Sequence, residues 1–569
     1  AATVAAAIIF FPADFALYAR SLFATAFFAS NFEFRHEAGY FDAAAELKPL
    51  LHLWSIAVEE QFYLLFPAIL LLTGAKSKRR TLVIVAILLA ASFGFSLWAV
   101  AHAPADAFYL LPSRMWELML GAVLAIGGFS VPRLRALRET IATIGLALIG
   151  WSVFALTPAT PFPGLAAFAP CLGAALVIYA GSGRTAVNDA LSARPLVFVG
   201  LISYSLYLWH WPLYVFTRYV LFREPTGLET AGLIAASFVL AFLCWRFIER
   251  PFRDRAFQPD WKALFGGAAA VMATAAVCGA VIASTDGWPQ RYPSDIRQIL
   301  AEERDHEPRM DICFGLTARD VRAGRLCRVG SVAAKHPSFV LWGDSHADAL
   351  LPAVEEVALR EGRAGLFAGT DSCAPLLGVT RPDAWKCRAF NDEVIKIATG
   401  PDITEVILDA RWAKNADGTS YGDEPPGRIL IYDDQGRGTT TATTNAVFLR
   451  GLERTVRTLT QAGKKVILVG SVPEIGWPVP IVLARMKLAD ENPQTDPSLS
   501  AYLQRQHSVL YAFAQMNKTY GVKVVYPHQV LCATGTCKVA LRGIPLYRDQ
   551  HHLSVFGARQ LTPLIAQAF

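Results

Sequence analysis

The sequence up to about residue 285 is dominated by long apolar segments: Leu51–Leu72, Thr81–Ala101, Arg114–Ile126, Ile141–Leu156, Leu165–Ala180, Phe198–Val220, Thr230–Phe247 and Ala263–Ala283. Inside a bilayer every backbone polar group must be satisfied within the protein, so such segments fold as helices of about 20 residues. Several reach that length, and the shorter ones suit a packed bundle. With a partial first segment over Ala1–Phe11, nine spans are expected. The start has no initiator methionine, basic n-region or cleavage site, so the sequence reads as a fragment whose first helices are missing. The overall composition agrees with a membrane half, since 53% hydrophobic residues are too many for an ordinary soluble enzyme.

Short cytoplasmic loops collect Lys and Arg. Here the basic clusters Lys76–Arg80, Arg133–Arg138, Arg184–Arg194 and Arg250–Arg255 fall in every second loop. That alternation leaves the end of the last segment, and everything after it, outside the cytoplasm. The net charge of +6 is spread over these loops and forms no continuous stripe, which argues for topology signals and against a nucleic-acid partner. The lipid bilayer is the first partner to expect.

After residue 285 the character changes. A polar stretch, 286–336, reads as an extracytoplasmic linker, and 337–569 as a second domain. In the latter, short apolar runs such as Ser338–Trp342, Gly365–Ala368, Val406–Asp409, Val466–Val469 and Val522–Tyr526 alternate with amphipathic stretches such as Thr441–Leu459 and Ser498–Tyr520. The pattern predicts a three-layer α/β domain with a parallel sheet. Six of the nine cysteines lie here as close neighbours, Cys313 with Cys327, Cys373 with Cys387 and Cys532 with Cys537. Three local disulfides are expected, consistent with an oxidising compartment. No CxxC spacing supports a metal site, and none is expected.

The chemistry concentrates at Val340-Leu341-Trp342-Gly343-Asp344-Ser345-His346, an apolar run that stops at Gly, Asp and Ser. It reads as a buried strand delivering Ser345 to the start of a helix, whose first N–H groups face any oxyanion formed there. Far downstream, Asp549 stands three residues before His552. Together these blocks resemble the SGNH (GDSL-like) hydrolase and acyltransferase family, with its flavodoxin-like α/β fold. The resemblance implies that Ser345 is the nucleophile, His552 the base and Asp549 its orienter. The family's middle blocks supply a glycine and a Gly-x-Asn, but Ala410-Arg411-Trp412 follows the Val406–Asp409 run, without the asparagine. The oxyanion candidates are therefore the Ser345 N–H and Arg411, the latter equally a structural ion-pair partner.

Polar groups at membrane depth are costly and read as functional or paired. Three stretches carry them: Trp54-Ser55-Ile56-Ala57-Val58-Glu59-Glu60-Gln61-Phe62-Tyr63, the one-turn pair Arg114 and Glu117, and Tyr204-Ser205-Leu206-Tyr207-Leu208-Trp209-His210. With Arg246–Phe252 they resemble the membrane acyltransferase-3 family. The combination with an SGNH-like part resembles two-domain O-acetyltransferases of bacterial surface polysaccharides, lipopolysaccharide O-antigen among them. What this implies is acetyl transfer from cytoplasmic acetyl-CoA, with no bound cofactor, to a glycan hydroxyl across the inner membrane, the C-terminal domain lying in the periplasm. Glu59, Glu60, Arg114 and His210 carry over as membrane-site candidates. The family's arginine and histidine in its first spans have no counterpart here. Two other functions fit the same residues: an acetyl esterase, and a transporter with a binding domain.

Overall fold

The computed structural model describes residues 1–37, 47–72, 77–157, 160–254, 260–384, 386–422, 428–491 and 496–569. Lys76 and Arg255 of the basic loops lie outside them. The chain divides into two compact units, Ala1–Pro289 and Gln290–Phe569.

The first unit is helical. Eight helices among the described residues are long and apolar enough to cross a membrane: Leu53–Leu72, Lys78–His102, Pro104–Gly127, Arg135–Ala155, Gly164–Gly181, Arg194–Leu221, Gly227–Arg253 and Trp261–Ser284. They account for all eight full segments expected. The partial ninth is the eight-residue helix Ala2–Ile9. It ends where Pro12, which has no N–H to donate, starts the next helix, Pro12–Ala26. Small residues let some of these helices approach closely. A Cβ placed on Gly145 would lie 2.7 Å from the Gly173 carbonyl oxygen, so the two helices meet backbone to backbone there.

The second unit is built on one six-stranded sheet. Its strands are β1 (Cys327–Gly330), β2 (Phe339–Gly343), β3 (Ala364–Gly369), β4 (Glu405–Asp409), β5 (Lys465–Val469) and β6 (Lys523–Val525), in the order β1-β3-β2-β4-β5-β6. Strands β2 to β6 are parallel and follow the flavodoxin-like order. The sheet is mixed and not purely parallel as expected, because β1 pairs antiparallel with the β3 edge. This also corrects the expected linker at 286–336. Residues 286–289 belong with the helical unit, and the remainder enters the second unit through β1 and the Cys313–Cys327 disulfide.

One face of the sheet, through Val340, Trp342, Val406, Leu408, Val466 and Leu468, packs on Phe390, Phe448, Leu452 and Phe513 of three helices. Those helices are Lys386–Ala398, Thr441–Gln461 and His507–Tyr520. The expected helix Ser498–Tyr520 is thus two helices, Leu499–Arg505 and His507–Tyr520, interrupted at Gln506. The helix Ser345–Arg360 contacts β1, β2 and β3 and packs against the two C-terminal helices. All three expected disulfides form, Cys313–Cys327, Cys373–Cys387 and Cys532–Cys537, while Cys171, Cys244 and Cys278 are free thiols.

Candidate active site

In a sheet of this order the strand order reverses between β2 and β4, and the crevice at their carboxyl ends is the natural place for a site. The sequence shapes that crevice closely. Gly343 pairs with Gly369 on one side and Asp409 on the other. A Cβ on Gly343 would sit 1.7 Å from the Asp409 carbonyl oxygen, so only glycine lets the two strands end this close together. The next residue, Asp344, caps the Ser345–Arg360 helix: its carboxylate accepts the His346 N–H at 2.9 Å. It also accepts the Arg411 backbone N–H at 3.0 Å. One carboxylate therefore ties the ends of β2 and β4 together and presents Ser345 at the positive end of a 16-residue helix.

The partner loop is equally constrained. Tyr547 and Leu553 form an antiparallel bridge, and the Arg548 N–H donates to the His552 carbonyl at 3.0 Å. Inside this loop Asp549 Oδ1 accepts the backbone N–H groups of His551 and His552 at 2.8 and 2.7 Å. Its other oxygen, Oδ2, lies 2.6 Å from His552 Nδ1. A proton on Nδ1 leaves the Nε2 lone pair facing Ser345 Oγ, 2.7 Å away. Ser345, His552 and Asp549 are thus joined in the Ser/His/Asp order of nucleophilic acyl transfer.

Burial fixes the charge states. It pushes His552 down to about 3, against the attraction of Asp549, so the imidazole is neutral and able to accept a proton. Burial acts to raise Asp549, but His552, His551 and Arg548 outweigh it and hold the carboxyl well below its ordinary range. Asp344 is raised by burial in spite of its two N–H donors, and Asp409 is raised well above its ordinary value by burial and by Asp344.

The expected oxyanion groups are only partly supported. Arg411 is buried, and its guanidinium lies 2.5 Å from Glu474 Oε1, while Glu474 Oε2 accepts from Arg505 Nε at 2.6 Å. Burial raises Glu474, yet these two arginines hold it below its ordinary value. Arg411 is therefore an ion-pair partner, the second of its two readings. The His346 N–H is committed to the Asp344 cap, so not every early helix N–H faces the serine.

Sequence reasoning missed several residues. His346 Nε2 lies 3.2 Å from His551 Nδ1, their rings nearly parallel beside His552. These two residues are 205 positions apart, and the only local signal was the His551-His552 dipeptide. Asp348, one turn after Ser345, is fully buried with Arg548 Nη2 3.9 Å from its Oδ2. Burial pushes its carboxyl up to about 7, against the pull of Arg548.

In the helical unit Arg114 pairs with Glu117 at 3.1 Å and lies about equally close to three rings, 5.0 Å from Trp54, 5.1 Å from Phe108 and 4.9 Å from Phe162. That is the structural pair, dressed by cation–π contacts. His210 meets His52, ring centroids 5.8 Å apart, a neighbour that sequence reasoning left out. The Tyr207 hydroxyl bonds Ser55 at 2.7 Å and also the His52 carbonyl. A cavity of about 680 Å³ opens beside this cluster, lined by Tyr207, His210, Trp211, Tyr214 and Phe238. Glu59 is exposed and Glu60 half-buried.

Comparison with known proteins gives two family matches. An acyltransferase domain model matches residues 3–246, and the model for an SGNH domain fused to such domains matches residues 312–567. A peptidoglycan O-acetyltransferase of Listeria monocytogenes is 33% identical over 42% of this chain and 41% of its own length. A putative membrane-bound transacylase of Komagataeibacter xylinus is 29% identical over 45% of this chain and 65% of its own length. The matches therefore span about two fifths of the first relative and just under two thirds of the second. Among solved structures, the periplasmic domain of a lipopolysaccharide acetyltransferase from Salmonella ser. Paratyphi A covers 49% of this chain and 97% of its own, with 16% identity and a TM-score of 0.35. Seven of the eight bilayer-length helices begin under the first family model and the Ser/His/Asp site lies under the second, so this chain is a multi-pass membrane protein of the acyltransferase-3 family with a fused SGNH domain.

Proposed function

We propose that the chain is an O-acetyltransferase that moves acetyl from cytoplasmic acetyl-CoA to a hydroxyl of an extracytoplasmic glycan, with Ser345 carrying the acetyl group on the way. The observation that carries this reading is the 2.7 Å contact between His552 Nε2 and Ser345 Oγ, backed by the 2.6 Å contact to Asp549. The relatives named for O-acetyl transfer support it, as do the alternating basic loops and the disulfides, which favour a C-terminal unit in the periplasm of an inner-membrane protein. The helical unit, with His52, Tyr207 and His210 beside an apolar cavity, supplies the route across the bilayer.

Each step at Ser345 balances. As Ser345 Oγ attacks the acetyl carbonyl, His552 Nε2 takes the hydroxyl proton, and Asp549 stabilises the imidazolium that forms. The tetrahedral oxyanion is stabilised by the positive end of the Ser345–Arg360 helix and the Ser345 N–H. Its collapse expels the donor's leaving group, which takes the proton from His552. The glycan hydroxyl then attacks the acetyl-serine, giving its proton to His552, and collapse returns that proton to Ser345 Oγ.

The test is glycan analysis of cells making the intact protein. O-acetyl groups should appear on a surface glycan and vanish with Ser345→Ala. Unchanged acetylation by the variant would overturn the serine route, and net loss of acetyl on expression would mean that water is the acceptor.

A further inference from the structure

The chemistry above uses one imidazole, yet three meet at Ser345. His346, His551 and His552 are 4%, 7% and 4% exposed, all within the buried floor of the site. One ring nitrogen from each lies within 4.8 Å of the others. The tightest pair, His346 Nε2 and His551 Nδ1, is 3.2 Å apart. Tetrahedral zinc with Zn–N bonds of about 2.0 Å places its ligand nitrogens about 3.3 Å apart, so this pair already has the required spacing. The widest separation has to close by about 1.5 Å to complete a three-nitrogen face.

His552 is prepared as a ligand. Asp549 Oδ2 holds its Nδ1 proton at 2.6 Å, which leaves Nε2 as a lone-pair donor in the carboxylate–histidine arrangement that supports metal ligands. Three imidazole nitrogens favour a borderline ion such as Zn²⁺ and disfavour Mg²⁺ or Ca²⁺, which take oxygen ligands. A hydrogen bond between His346 and His551 accounts for their contact with each other. Their convergence with His552 is what a chelate adds.

We propose that His346, His551 and His552 form a binding site for a zinc-class divalent cation, whose occupation silences Ser345 by taking the Nε2 lone pair of His552. The binding half stands on the geometry alone, and the silencing half rests on the acyl-transfer reading. Coordination replaces the Ser345–His552 hydrogen bond. The proton shared by His346 and His551 moves to the other nitrogen of its own ring, so no net proton is released.

The test uses the purified full chain in detergent, with Co²⁺ as a spectroscopic probe and Zn²⁺ as inhibitor. One equivalent of Co²⁺ should give the intense visible bands of a four-coordinate nitrogen site, displaced by Zn²⁺. Zn²⁺ should suppress cleavage of a small acetyl ester, and EDTA should restore it. In His346→Gln and His551→Gln the bands should be lost and the Zn²⁺ needed for half-inhibition, measured against each variant's own metal-free rate, should rise at least tenfold. Either variant suffices if the other fails to fold. Ser345→Ala should keep the Co²⁺ bands and lose ester cleavage. Absent Co²⁺ bands in the wild-type chain, or bands and inhibition unchanged in the folded histidine variants, would overturn the site. A wild-type chain that binds Co²⁺ but cleaves no ester would overturn the acyl-transfer reading and leave the metal site standing.

Discussion

Replacing Asp549 with Asn isolates the orienting role from the structural one. The carboxylate does both jobs: Oδ1 accepts two backbone N–H groups at 2.8 and 2.7 Å, and Oδ2 faces His552 Nδ1 at 2.6 Å. In Asp549→Asn the amide oxygen keeps the two backbone bonds, so the loop holds its shape. The amide N–H₂ is then turned toward Nδ1, which becomes an acceptor. The ring proton moves to Nε2, and His552 donates to Ser345 Oγ where it has to accept. Loss of the base by tautomer reversal costs about 10³- to 10⁴-fold in kcat, or about 4–5.5 kcal/mol of barrier. The assay is cleavage of a small acetyl ester by the purified chain, alongside thermal unfolding. Asn should leave the melting temperature nearly unchanged. Asp549→Ala, which also strips the two backbone acceptors, should lower stability by a further ~2 kcal/mol. An Asn variant retaining more than a tenth of the wild-type kcat would refute the tautomer argument.

Three more outcomes are expected. His552 is held at about 3 by burial, against an ordinary unfolded value of about 6.5, so the unfolded chain binds more protons between those values. Stability is therefore complete above about pH 6.5 and falls as pH drops toward 3, while the ester-cleavage rate stays flat from about pH 8 to 5. A rate inflection at about pH 6.5 would show that the base is an ordinary exposed imidazole. The Cys313–Cys327 disulfide closes a 14-residue separation, so replacing both with Ser should cost about 3 kcal/mol, read as a drop of several degrees in the unfolding of the second unit. Glu117→Ala should strip its carboxylate from the buried Arg114 and cost about 3–5 kcal/mol in detergent-solubilised thermal stability. The double change Arg114→Met with Glu117→Leu should recover most of it; a single variant as stable as wild type would mean that the pair does not hold the bundle together.

What could be read in the sequence was whatever physics writes locally. Bilayer length and Lys/Arg alternation revealed the membrane half, and Asp549 with His552 was visible because the orienting contact spans only three residues. Gly343-Asp344-Ser345 was visible because a strand cannot turn into a helix there without a glycine and a cap. The histidine cluster was not, since the 205 residues between His346 and His551 leave no periodic trace. Arg411 stayed ambiguous until the fold brought Glu474, 63 residues away, to its guanidinium. The four-residue strand β1 was lost among polar neighbours, because its partner β3 and its disulfide lie outside any local window.

The two halves of the reactive pair lie 207 residues apart in the chain, nucleophile first and base second. A ribosome meets them in that order. When Ser345 first emerges it is an alcohol like any other, with neither its proton acceptor nor the carboxylate that orients it. Only the closing loop, pinned by the Tyr547–Leu553 bridge and the two N–H groups on Asp549, confers reactivity. Activation of the serine is thus the last property the unit gains in synthesis, and a chain interrupted anywhere before Asp549 carries a Ser345 without its base.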